Sequence, residues 1–124
     1  TNVYLRGSLI FDIQTVVGTN HRKDENTGED RLHDVFVFED SKLFKIVGEK
    51  GGIVNSSHHQ SADRVGENLR INAKCSDGVI EGLEWAGDDR FVLLVQWHPE
   101  RMKDSRSIFS KNLLDAFINS IIQK

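Results

Sequence analysis

The sequence predicts an α/β domain, and three observations carry that prediction. Short runs in which β-branched and aromatic residues alternate recur along the chain. One run, Phe91 to Trp97, is apolar on both faces, as in a strand covered on each side. The C-terminal segment carries apolar residues at helical spacing. With 124 residues, 38% of them hydrophobic, the chain is long enough to bury one core, so residues 1–124 are read as part of one domain.

In chain order, Thr1 to Leu5 reads as the tail of a helix, with Gly7 as the residue of positive φ that closes it. The chain would then begin inside an element and represent less than an intact translation product. Thr19 to Arg31 is polar, charged and without periodicity, a surface loop. His33 to Glu39 alternates, Val35 and Val37 on one face and Phe36 and Phe38 on the other, which predicts a strand. Lys42 to Val47 is a short helix closed by Gly48, and Gly51 to Asn55 a brief strand that feeds the polar segment Ser56 to Asp63. Leu69 to Cys75 and Val79 to Trp85 flank Asp77-Gly78, a hairpin turn pair. Phe91 to Trp97 is the candidate central strand. From Ser105 onward Ile108, Phe109, Leu113, Phe117 and Ile121 predict a helix packed on the sheet, with Asp104 or Ser105 as N-cap and Lys111, Asp115 and Asn119 outward.

Composition narrows the function. The net charge is −3, with both signs dispersed and no basic run interleaved with aromatics, so neither nucleic acid nor an anionic membrane is an expected partner. No apolar stretch has the length of a membrane span, and no signal-peptide pattern is present, so the expected location is the cytoplasm. The single cysteine, Cys75, falls in an alternating run where Ile71, Ala73 and Cys75 would share one face. It lacks the glycine-flanked strand-to-helix turn that presents a nucleophile, and reads as a half-buried core residue.

Chemistry concentrates at Gln96-Trp97-His98-Pro99-Glu100, directly after the apolar run, where α/β folds place reactive groups. Pro99 disfavours the α region at His98, so an extended segment is expected with residues 98 and 100 on one side. Glu100 could then fix the His98 tautomer and stabilise the imidazolium formed when the other nitrogen takes a proton. On spacing alone this is weak evidence, because a histidine near a carboxylate is more often a satisfied surface or core pair. His58 and His59 could be solvated loop residues or a metal pair, but adjacent histidines are poorly disposed to one ion, and no metal or cofactor is expected. Glu81 and Glu84 read as structural or surface carboxylates.

Trp97-His98-Pro99-Glu100, preceded by Val54-Asn55-Ser56-Ser57-His58-His59-Gln60 and by Asp77-Gly78-Val79-Ile80-Glu81, resembles the γ-glutamyl hydrolase branch of the class I glutamine amidotransferase-like superfamily. The nearest subgroup is the γ-glutamyl-γ-aminobutyrate hydrolases. His21-Arg22 and His33-x-Val35 are similar to it as well. The resemblance runs from Asn2 to the last helix, and its motifs keep the family order. It implies the C-terminal half of a flavodoxin-like domain, with a mainly parallel sheet flanked by helices and one antiparallel hairpin. Asn2 to Asp12 looks like the far end of the helix that follows the family's Gly-x-Cys-x-Gly elbow, which would lie just before Thr1. Arg6 stands where the family has the first glycine of a pair, and Phe11 where glutamine is common.

By the resemblance, the complete domain hydrolyses γ-glutamyl amides with a Cys-His-Glu triad, to which this chain supplies His98 and Glu100. Ser57, His58, His59 and Gln60 would correspond to the loop that holds the amino-acid end of a small γ-glutamyl substrate. Alone, without a nucleophile, the chain should be inactive. Two other functions remain open: a non-catalytic scaffold that keeps the fold, and an ammonia-supplying glutaminase subunit. An unpaired sheet edge predicts that the chain is held by its own N-terminal half or by a second copy, as in a homodimer.

Overall fold

A computed structural model describes residues 1–123. Five strands form the main sheet: β2 (Arg31–Val37), β3 (Gly51–Ser56), β5 (Leu69–Lys74), β6 (Ile80–Trp85) and β7 (Leu93–Val95), in the order β3-β2-β5-β6-β7. β1 (Leu9–Ile10) and β4 (Ser61–Ala62) make a separate two-stranded pair. The described residues form three α-helices, α1 (Ile13–Val16), α2 (Lys42–Val47) and α3 (Lys111–Ile122), with a 3-10 turn at Pro99–Arg101.

Every strand pairing is antiparallel, which overturns the expectation of a mainly parallel sheet. The connections explain it. Parallel neighbours need a crossover that returns the chain to the edge where the previous strand began. Six-residue α2 advances only ~9 Å, while a strand of that length spans ~20 Å. The chain therefore turns back beside β2, and Phe36 pairs with Gly51. β5 and β6 are joined by a tight turn in which Gly78 has φ 85°, as Asp77-Gly78 predicted. The apolar run 91–97 is an edge strand of the described sheet, shorter than expected and only half-buried, rather than a central one.

One face of the sheet packs against α2 and α3. Val35, Val37, Val54 and Ala73 meet Leu43, Val47, Trp97, Phe109 and Leu113 there. Gly52 lies so close to Phe109 that a Cβ would stand 2.4 Å from the ring, so β3 has no room for a side chain at this point. A smaller cluster of Ala62, Leu69, Ile80 and Leu83 covers the other face. The register shifts between Ile71 and Ala73, a bulge that sends these two residues to different clusters instead of one shared face.

α2 has the bounds expected from the sequence. Ser41 caps it by accepting from Phe44 N, and Gly48 closes it at φ 74°. Its first N–H groups are also taken by a side chain from the sheet: Glu84 accepts from Lys42 N at 2.8 Å and Leu43 N at 3.1 Å.

Two helical expectations need correction. Asn2 to Arg6 forms turns, and the positive φ falls on Arg6 (71°) instead of Gly7. Gly7 is needed for another reason, since a Cβ there would meet the Asn2 side chain at 2.4 Å. The C-terminal helix begins at Lys111 after turns at 105–110, where the Phe109 carbonyl accepts the Trp97 indole N–H at 3.0 Å. Leu113 is its one buried residue; Phe117 (54% exposed) and Ile121 (55%) stand off the sheet.

Candidate active site

β7 delivers the chain to Trp97, whose buried ring stacks edge-on against Phe109 at 6.0 Å between centroids. Beyond that anchor the backbone does not stay extended. It enters the 3-10 turn at Pro99, with His98 as the flanking residue, and Ser110 Oγ donates to the Pro99 carbonyl at 2.8 Å. The turn still brings the two side chains together: His98 Nδ1 lies 3.0 Å from Glu100 Oε1. His98 Nε2 has no hydrogen-bond partner among the described residues. Burial opposes ionisation of Glu100, yet its own backbone N–H, His98 and Arg101 together hold its carboxyl below the ordinary range.

Asn55, buried on β3, fixes the backbone of His98 from both sides. Its Oδ1 accepts from His98 N at 3.0 Å, and its Nδ2 donates to His98 O at 3.1 Å and to Asp30 Oδ2 at 2.9 Å. Asp30 in turn receives Arg101 through Nε at 2.7 Å and through a second guanidinium nitrogen at 2.9 Å. That guanidinium, with Asn55 assisting, keeps the Asp30 carboxyl below its usual range although burial works against it. Asn55→Ala leaves a His98 N–H without its acceptor and should cost about 2 kcal/mol of stability, read by urea unfolding. An unchanged denaturation midpoint would show that the bridge contributes nothing.

The sequence-predicted loop residues divide. Ser57 and His58 line a cleft of about 560 Å³ together with His98 and Glu100. Both also line a larger neighbouring cleft of about 1010 Å³, which includes His59. Gln60 lines neither, but its carbonyl accepts from His58 Nδ1 at 2.9 Å and from Gln96 Nε2 at 3.4 Å. The other nitrogen of His58 faces the fully buried Glu81 at 3.1 Å, so both of its ring nitrogens are engaged.

Cys75 is buried and distant in kind from a nucleophile. Burial, then the Glu81 and Asp77 carboxylates, push its thiol far above the ordinary value. Its sulfur lies 3.2 Å from His33 Nδ1, in a group with His21 and Glu81 that inspection of the chain order did not assemble.

A family model described as Peptidase C26 matches residues 1–100. The chain belongs to the Peptidase C26 family. This C26 chain is 41% identical over 115 residues to a Mycobacterium tuberculosis protein provisionally named a glutamine amidotransferase, covering 93% of the chain and 36% of that protein. It is 36% identical over 89 residues to the γ-glutamyl-γ-aminobutyrate hydrolase of Escherichia coli, covering 71% of the chain and 34% of the relative. The solved structure of a Thermoplasma acidophilum protein, provisionally described as a GMP synthase subunit, superposes with a TM-score of 0.63 at 16% identity, over 99% of this chain and 55% of that one. The family resemblance drawn from the motifs is thereby borne out. The chain spans about a third of the length of these two relatives.

Proposed function

We propose that this C26 chain is the acid–base half of a γ-glutamyl amide hydrolase whose nucleophilic cysteine lies elsewhere in the intact protein. The observation that carries the reading is the His98 Nδ1–Glu100 Oε1 contact of 3.0 Å, with Nε2 left free at a cleft shared with Ser57 and His58. A histidine held by a carboxylate at one nitrogen is in the right tautomer to take a proton at the other. In the proposed cycle, His98 takes the thiol proton as sulfur attacks the γ-carbonyl. It then protonates the departing amine, and finally activates the water that resolves the acyl-enzyme. Glu100 stabilises the imidazolium at each stage, and Asn55 positions the His98 backbone. Ser57, His58, His59 and Gln60 form the proposed loop for the amino-acid end of the substrate.

The free edge of β7 and the exposed apolar positions of α3, Leu114, Phe117, Ile118, Ile121 and Ile122, support a second element of the proposal. They are covered by the remainder of the longer protein or by a second copy. No helix among the described residues is long and apolar enough to cross a membrane. A thiol-dependent hydrolase with these features is proposed to work in the cytoplasm.

The test is an assay of the intact protein, with its upstream region, against a panel of γ-glutamyl amides, reading glutamate release. Turnover of at least one member is expected, with none from residues 1–124 alone. Absence of turnover on every member would overturn the hydrolase reading.

A further inference from the structure

Behind the candidate active site, four side chains from four segments converge in the interior. His21 comes from the polar loop, His33 from β2, Cys75 from the β5–β6 turn and Glu81 from β6. Each offers one donor atom, and the four lie within 4.8 Å of one another. His21, Cys75 and Glu81 are buried, and the His33 side chain is 17% exposed.

The orientation of the two histidines is more informative than their proximity. His21 Nε2 lies 2.7 Å from Asp77 Oδ2, a carboxylate oxygen that Thr19 Oγ1 also holds at 2.7 Å. His33 Nδ1 lies 2.8 Å from the Asp34 carbonyl oxygen, which can only accept. His21 therefore donates one N–H to an outer oxygen and turns its remaining nitrogen inward, as histidines that ligate metals do. His33 likewise keeps Nε2 as its acceptor nitrogen towards Glu81, although its Nδ1, at 3.2 Å, is the nearer of the two to Cys75 Sγ. The inward His21 Nδ1 is fully buried and has no hydrogen-bond partner. It stands 3.3 Å from Glu81 Oε1, and the inward His33 Nε2 stands 3.6 Å from the same oxygen and 3.9 Å from Cys75 Sγ. A tetrahedral ion with bonds of 2.0–2.3 Å has ligand–ligand edges of roughly 3.3–3.8 Å. The two nitrogen–oxygen separations fall in that range, and the longer ones, all within 4.8 Å, contract by side-chain adjustment as the ion binds.

We propose that His21, His33, Cys75 and Glu81 bind one divalent transition-metal ion of the zinc class, as a closed structural site that fastens the polar loop and β2 to the β5–β6 hairpin. Two imidazoles, a thiolate and a carboxylate suit zinc by softness and by number, leaving no open position for a substrate. Cys75 gives up its proton to solvent as the sulfur–metal bond forms, so binding weakens as pH falls. His58, 3.1 Å from Glu81 Oε1, ties the site to the loop that lines the active cleft. The inference does not depend on the hydrolase reading.

The experiment strips the intact protein with a chelator and titrates it with Co²⁺, then separately with Zn²⁺. Cobalt is expected to saturate at one equivalent, with tetrahedral ligand-field bands and a thiolate-to-cobalt charge-transfer band that Cys75→Ser removes. Zinc is expected to raise the melting temperature of the unsubstituted protein by ~5 °C or more. That second readout stands even where Cys75→Ser does not fold. No saturable cobalt spectrum together with no zinc-induced shift overturns the proposal, and so does a charge-transfer band that survives in folded Cys75→Ser.

Discussion

His98→Ala in the intact protein should lower kcat/KM for γ-glutamyl amide hydrolysis by about 10³- to 10⁴-fold, with KM little changed. The expectation follows from which nitrogens are free. Two histidines line the cleft, but His58 has both ring nitrogens engaged, by the Gln60 carbonyl and by Glu81. His98 spends only Nδ1, on Glu100, and keeps Nε2 for a proton. Glu100→Gln should cost less, roughly ten- to a hundredfold, because its side chain is 65% exposed and solvent screens its effect on the imidazolium. The measurement is steady-state kinetics of the three proteins at one pH. An active His98→Ala, or a Glu100→Gln as damaged as His98→Ala, would remove the assigned roles.

The candidate pair was legible because it is local: two residues apart, on either side of a proline, after an apolar run. Even there the geometry differed, since the pair meets through a 3-10 turn and not along an extended segment. The helix Lys42 to Val47 was legible down to its ends, and Gly48, which closes it, is a backbone signal read without tertiary context. The sheet direction was not. It depends on how far a connection can carry the chain, and the family resemblance outweighed the short length of α2. Arg6 shows the reverse. The family pattern places glycine there, and the observed φ of 71° is the conformation for which glycine is suited. Asn55 stood within a quoted motif, but its hold on His98 crosses 43 residues and has no spacing signature. The same is true of the buried group around Glu81. His21, His33, Cys75 and Glu81 are each unremarkable in their local runs, and only the fold makes them neighbours.

Glu84 should prove the costliest carboxylate to remove. It is fully buried on β6 and accepts four hydrogen bonds: two from the first N–H groups of α2, and two from Arg70, at 2.9 and 2.7 Å. It thus serves at once as the partner of a cation and as the acceptor for an otherwise unsatisfied helix end. Glu84→Ala leaves both unpaired and is expected to cost about 3 kcal/mol, with a fall in melting temperature of roughly 10 °C. Glu84→Gln, which keeps the shape and one acceptor oxygen, should cost about half as much. The pH dependence separates charge from shape. Burial raises the Glu84 carboxyl, but the Lys42 N–H, Arg70 and the Leu43 N–H outweigh it and hold the group below the ordinary value. Its charge therefore stabilises the fold fully above the unfolded glutamate pKa of about 4.3, and that contribution is lost as pH falls through the lower folded value. The gap between the parent and Glu84→Gln should accordingly be widest at neutral pH and close in acid. A gap that stays constant from pH 7 to pH 3 would mean that packing, and not the ionised carboxylate, holds α2 to the sheet.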